Sequence, residues 1–178
     1  PELPAEKLGI DCYDAMFRGC TSLEEASELP AMDLVEGCYS QMFLNCVSLK
    51  TAPELPATNL VPECYSYMFY GCSSLENAPE LPAAELASDC YYAMFYKCTS
   101  LKSAPALTAT ELAVNCYGGM YCGCTSLEAA PYLPAVMLVE RCYDMMFYKC
   151  SNLSSIKVAF TDWGDGSSTL DWVFGIAQ

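Results

Sequence analysis

Thirteen cysteines are the residues of this chain most able to do chemistry, and twelve of them fall into two columns. Cys12, Cys38, Cys64, Cys90, Cys116 and Cys142 form the first; Cys20, Cys46, Cys72, Cys98, Cys124 and Cys150 form the second. Such thiols could act as nucleophiles, bind a metal or cross-link. The chain has no histidine. The commonest general base and metal ligand is therefore missing, and neither a Ser-His-Asp triad nor a Cys-His pair can be built. Zinc sites use pairs of the C-x-x-C kind; none exists here, and the two column cysteines of a unit are always eight apart. Along a helix eight residues span about 12 Å, and a disulfide needs Cα atoms roughly 4.4–6.8 Å apart. That argues against bonds within a unit. Bonds down the first column would have to cross the wider spacing of packed helices. The second column lies nearer the strands, so pairing there stays open. The expected role is a ladder of buried thiols that pack as small hydrophobes. The odd one, Cys122, stands where other units carry Arg18, Leu44, Tyr70, Tyr96 and Tyr148. It is expected to be the exposed, reactive thiol. Cys122-Gly123-Cys124 is too weak a motif for redox chemistry. No catalytic, metal-ligating or cofactor-binding residue is expected anywhere.

The columns follow from a repeat of 26 residues, present six times without insertion or deletion. The units are 1–26, 27–52, 53–78, 79–104, 105–130 and 131–156. Each reads close to P-E-L-P-A-x-x-L-x-x-x-C-Y-x-x-M-F-x-x-C-T-S-L-x-x-A. A fixed period of this size predicts stacked units that bury their apolar faces on one another. Within a unit, Ser22 to Leu29 and its equivalents read as a short parallel strand. The prolines that open most units cannot donate to a ladder, which keeps the paired part to about three or four residues. Leu8, Cys12, Met16 and Cys20 sit four apart beside Tyr13 and Phe17, which reads as a short amphipathic helix. Gly19, Gly71 and Gly123 fit its C-terminal cap, and Asn45 can take the same left-handed turn. Lys97 and Lys149 fit it poorly. The predicted fold is an α/β repeat solenoid, a right-handed coil with one strand and one helix per unit. Strands stack at roughly 4.8 Å and helices at roughly 8–10 Å, so a short curved arc is expected. The invariant Tyr and Met columns, from Tyr13 to Tyr143 and from Met16 to Met146, are assigned to the core.

Residues 157–178 leave the pattern and read as a C-terminal capping segment. Lys157 to Phe160 continues as a strand, 162–168 is a turn-rich loop, and a last helix runs from a cap at Thr169 to Phe174. Both tryptophans lie in this segment and are expected to cover the last rung.

Composition narrows the function. The formal charge of −14 lacks the basic footprint that nucleic acid or an anionic membrane would need. No apolar run is long enough to span a membrane, and no signal peptide is visible. The candidate binding surface is taken from exposed columns. Glu24, Lys50, Glu76, Lys102 and Glu128 alternate in sign along the strands, where neighbours pair. Glu28, Glu54 and Glu80, with Glu2, stack like charges and would welcome a cation or a basic partner. Tyr70, Tyr96 and Tyr148 form an exposed aromatic column of the kind that interfaces favour, and Tyr67, Tyr92 and Tyr132 are also read as exposed. The fifth and sixth units depart most from the consensus, at Ala106, Thr108, Gly118, Gly119, Cys122, Tyr132 and Met137. That points to recognition in the C-terminal half.

The segments Gly19-Cys20-Thr21-Ser22-Leu23, Gly71-Cys72-Ser73-Ser74-Leu75 and Gly123-Cys124-Thr125-Ser126-Leu127 carry a resemblance. Followed by an apolar strand and Leu-Pro, they resemble the BspA-like leucine-rich repeats of bacterial surface proteins, in a variant common in gut Bacteroidetes. The unit here has 26 residues instead of about 23, and a second cysteine. The resemblance implies a leucine-rich-repeat coil on a secreted or cell-surface protein. It also implies a non-catalytic adhesion module that binds a protein or glycan on a host or neighbouring cell. The alternative is a structural spacer that projects another domain. The first repeat, with no cap of its own, offers an edge through which two copies could associate.

Overall fold

A computed structural model describes residue 3, residues 5–164 and residues 167–176. Glu2 and the centre of the expected 162–168 loop lie outside the described residues. The chain winds through successive 26-residue coils that lie one on the next. A column of parallel single-residue bridges joins them: Glu25 to Thr51, Thr51 to Asn77, Asn77 to Ser103, and Ser103 to Ala129. The strand predicted for each unit thus narrows to one bridged residue, as its proline-rich flanks require.

The expected helix is not formed; there is no helix among the described residues. The Cys-Tyr-x-x-Met-Phe segment is instead a ribbon of overlapping tight turns. In coil 1 the amides of Cys12, Asp14, Met16, Arg18 and Cys20 each bond the carbonyl three residues earlier, at 3.0–3.3 Å. The intervening amides of Asp11, Tyr13, Ala15, Phe17 and Gly19 point along the stack. They bond the carbonyls of Glu36, Cys38, Ser40, Met42 and Leu44 in coil 2, at 2.7–3.1 Å. The same alternation recurs from coil to coil. Every backbone donor of the ribbon is therefore satisfied without a helix.

Spacing explains the outcome. The apolar residues recur at a strict four, and an α-helix turns 3.6 residues per turn, so a four-residue stripe drifts about 40° per step. A ribbon with two turns per four residues has no such drift. In coils 2 to 6 it buries the positions equivalent to Cys12, Tyr13, Met16, Phe17 and Cys20 and turns the pairs between them outward; in coil 1 Cys12 and Cys20 are exposed, so the expected ladder of buried thiols begins only at Cys38 and Cys46. Each fourth residue must adopt a left-handed backbone, as Asp11, Ala15 and Gly19 do (φ 52°, 51° and 72°). Gly, Asn and Asp supply many of these positions at low cost. Lys97 and Lys149 nevertheless take them as well (φ 59° and 60°), against the expectation from their side chains.

Curvature was expected from widely spaced helices. Without them, backbone hydrogen bonds set the coil separation on both the bridge column and the ribbon, and that ground for an arc disappears.

The core is a set of continuous stacks. Tyr13, Tyr39, Tyr65, Tyr91, Tyr117 and Tyr143 lie ring over ring at 5.7–5.9 Å and end on Phe160 at 6.0 Å. Phe17, Phe43, Phe69, Phe95, Tyr121 and Phe147 do the same at 5.6–5.8 Å. Parallel rings at this separation are offset, each pair contributing about 0.5–1.5 kcal/mol beyond its buried area. Met42 to Met146 are fully buried, as expected of core, while Met16 in the first coil is 51% exposed.

The tail also keeps the register. Tyr143, Met145, Phe147 and Lys149 donate to the carbonyls of Ser168, Leu170, Trp172 and Phe174. Asp171 and Gly175 have the positive φ of Met145 and Lys149, 26 residues earlier. Residues 167–176 are a further turn of ribbon, so the helix expected from Thr169 to Phe174 is absent. Val158 bridges Leu133, and Trp172 lies near Phe147, Phe160 and Trp163.

Candidate functional site

All thirteen cysteines are free. The second column has a role that spacing did not reveal. The thiols of Cys46, Cys72, Cys98, Cys124 and Cys150 donate to the carbonyls of Phe17, Phe43, Phe69, Phe95 and Tyr121, at 3.0–3.1 Å. Each tethers one coil to the coil before it. Burial pushes the thiols up, to about 11 for Cys38 and Cys46 and about 12 for Cys116 and Cys150. They are inert, neutral packing groups. Cys122 is a correction. It is 2% exposed, not open to solvent, and burial raises its pKa despite Lys97 and Lys149 nearby. No cluster of three or more acidic or cysteine ligands that could hold a metal occurs among the described residues.

The charged strip forms two ion pairs, Lys50 to Glu24 and Lys102 to Glu76, each 2.7 Å and each well exposed. Exposed pairs of this kind contribute about 0–1 kcal/mol. Glu128 is exposed, and its amide bonds the Lys102 carbonyl. Glu28, Glu54 and Glu80 are exposed too. Glu28 and Glu54 share one shallow hollow of about 450 Å³ with prolines 30, 53 and 56, and Glu54 and Glu80 share another. These carboxylates have prolines and apolar side chains around them and no basic group lining the hollows.

The outward pairs of the ribbon carry the more structured surface. Tyr70 and Tyr96 stack at 4.7 Å, and Tyr67 meets Tyr92 edge to face at 5.0 Å. Tyr148 stacks on Phe174 at 5.4 Å instead of on Tyr96, because Cys122 stands between them in the column. The expected column of three is thus two pairs. Lys97 and Lys149 lie over the rings of Tyr96 and Tyr148, at 5.6 and 5.0 Å. Burial and a hydrogen bond with Tyr92 push the Tyr67 phenol up to about 12.

Coil 5 interrupts this wall. Where coil 4 presents Tyr92 and Ala93, and coil 6 presents Asp144 and Met145, coil 5 has Gly118 and Gly119. Both glycines are dictated locally. A Cβ on Gly118 would collide with Asn115 Oδ1, and Gly119 has φ 62°. The result is a notch of about 240 Å³, with Tyr67, Tyr92 and Tyr96 on one side, Gly119 at its base, and Arg141 and Asp144 opposite. Arg141 Nε and Nη2 both donate to Asp144 Oδ2 at 3.0 Å. Asp144 is 6% exposed, and its Oδ1 is buried without a partner. Tyr67 and Tyr92 were visible in the sequence as exposed tyrosines, and the two glycines as departures from the consensus. Arg141 and Asp144 were missed; Arg141 is the one basic residue in the column of Asp11, Gly37, Glu63, Asp89 and Asn115, which was the available signal, whereas Asp144 repeats Asp14 and stood out less.

A sequence model of the BspA type leucine rich repeat region matches residues 10–125 in six copies. No curated protein and no solved structure matches the chain.

Proposed function

Because the chain belongs to the BspA type leucine-rich repeat family, we propose that it is a non-catalytic recognition module, binding a protein or glycan through the outward side of its ribbon. The proposal places it at the cell surface or outside the cell, as is typical of the family. No helix among the described residues is long and apolar enough to cross a membrane. The observation that carries the reading is a set of half-exposed tyrosines held by ring contacts: Tyr70 on Tyr96, Tyr67 against the edge of Tyr92, and Tyr148 on Phe174. Tyrosine gives large contact area with few rotors to immobilise, which is why interfaces enrich it. The charged strip and the Glu28, Glu54 and Glu80 edge remain secondary surfaces in this proposal.

The test is a labelled chain offered to arrayed glycans and arrayed extracellular proteins. The reading expects a saturable signal that falls at least tenfold, about 1.4 kcal/mol, in a Tyr96→Ala, Tyr148→Ala double variant. No saturable signal anywhere would favour the spacer alternative. A signal unchanged by the double variant would move recognition off the tyrosines.

A further inference from the structure

We propose that the edge carrying Glu28, Glu54 and Glu80 is a docking groove for an extended basic polypeptide segment with Lys or Arg at every third residue. The groove is separate from the tyrosine surface and stands on observations of its own. Charge comes first. In coils 2 to 4 the segments 28–33, 54–59 and 80–85 carry Glu28, Asp33, Glu54, Glu80 and Glu85 and no basic residue. All five carboxylates are exposed, and among the described residues none of them is in an ion pair. The neighbouring strip differs: there Lys50 and Lys102 match Glu24 and Glu76 of the preceding coils. Like charges on adjacent rungs repel, so this edge holds an unmatched negative column that a cationic partner relieves.

The Pro-Glu-Leu-Pro pattern supplies the apolar wall. The hollow of about 450 Å³ that holds Glu28 and Glu54 is lined by Pro30, Pro53 and Pro56. The hollow of about 450 Å³ that holds Glu54 and Glu80 adds Leu55, Pro79 and Pro82. The two share Ala52, Pro53, Glu54 and Pro56, so they form one groove that runs along the stack. Proline rings offer apolar surface and no N–H. A ligand lying there meets apolar rings and free carboxylates in alternation.

Register selects the occupant. Three residues before each glutamate, Glu25, Thr51 and Asn77 are bridged in parallel, which sets these rungs roughly 4.8 Å apart. Glu28 and Glu80, two coils apart, are thus separated by about 10 Å along the stack. A polyproline II chain rises about 3.1 Å per residue with three residues per turn, so basic residues at i and i+3 project on one side about 9 Å apart. The residues between them fall on the hollows. Other occupants match less of the groove. A second copy carries the same net charge of −14, and a nucleic acid would be repelled. A metal ion finds no group of three or more ligating side chains among the described residues. A small polyamine has the charge but no rings to fill the proline-lined hollows.

Isothermal titration of the 178-residue chain tests this at about 0.15 M salt, where charges beyond about 8 Å are largely screened. The probes are peptides of three Lys-Pro-Pro, Lys-Gly-Gly or Glu-Pro-Pro triplets, and spermine. The Lys-Pro-Pro peptide is expected to bind saturably, at least about threefold tighter than the Lys-Gly-Gly peptide, with no binding of Glu-Pro-Pro. Glu28→Gln, Glu54→Gln and Glu80→Gln together should weaken it about tenfold or more, and Glu54→Gln alone about threefold. A charge-matched control of three exposed carboxylates elsewhere, Asp14→Asn, Glu128→Gln and Asp171→Asn together, should change it by less than about twofold. Thermal melts check that each variant folds, and should the groove triple variant fail, Glu54→Gln decides alone. No saturable binding of Lys-Pro-Pro, equal binding of Lys-Gly-Gly, spermine binding without the proline peptide, or an equal loss in the control each overturns the proposal. Any of these leaves the array result for Tyr96 and Tyr148 untouched, so the two surfaces fail separately.

Discussion

Single residues set the energetics of the stacks. Tyr121 occupies a column that is otherwise phenylalanine: Phe17, Phe43, Phe69, Phe95 and Phe147. Its ring fits the stack, but its hydroxyl is fully buried with no hydrogen-bond partner. An orphaned buried polar group costs about 1–3 kcal/mol, while the phenylalanine ring keeps the packing. Tyr121→Phe is therefore expected to raise stability by about 1 kcal/mol, read from urea unfolding of the two proteins. A loss of stability would mean that the hydroxyl has a partner. Lys97 and Lys149 show the opposite economy. Each accepts an unfavourable backbone angle because the ribbon requires a left-handed residue there, and each ammonium lies over a tyrosine ring.

Columns of like residues make the ribbon's chemistry collective. The buried thiols lie at about 11 for Cys38 and Cys46 and about 12 for Cys116 and Cys150, against about 8.5 in an unfolded chain. Below about 8.5 both states keep these protons and stability is indifferent to them. Above it the unfolded chain releases protons that the folded chain retains, so stability falls as pH rises toward the folded values. The melting temperature should thus be flat from about pH 6 to 8 and decline steadily above about 9; a flat profile to pH 11 would mean that the thiols ionise as easily folded as unfolded. At this scale the sequence was partly misleading. Leu8, Cys12, Met16 and Cys20 display the right buried face, but their strict spacing of four belongs to a turn ribbon, not a helix. The clue lay in the columns Asp11, Gly37, Asp89, Asn115 and Gly19, Asn45, Gly71, Gly123, which mark left-handed positions. The tail hid its membership because Trp172 and Val173 replace Met146 and Phe147 while the backbone register persists.

At the level of the whole molecule, the stack converts sequence variation into surface relief. Core columns hold each coil in register, so a change such as Gly118-Gly119 leaves the backbone in place and appears only as a notch. The departures in the fifth coil were legible in the sequence. The notch itself was not, because it depends on Tyr92 from one neighbour and Asp144 from the other, brought together by a ribbon that the helical reading did not contain. Glu24 with Lys50 and Glu76 with Lys102 were legible as pairs, since adjacency of rungs follows from the repeat alone.

The tyrosine surface and the notch both follow from the ribbon, and through-hydrogen-bond scalar couplings in the isotopically labelled chain test it directly. The account predicts couplings from the Ala93 amide to the Gly118 carbonyl and from the Phe95 amide to the Met120 carbonyl, across 2.8 and 2.9 Å. Couplings from those amides to carbonyls four residues earlier in the same coil would mean a helix, and would contradict both the ribbon and the surface built on it.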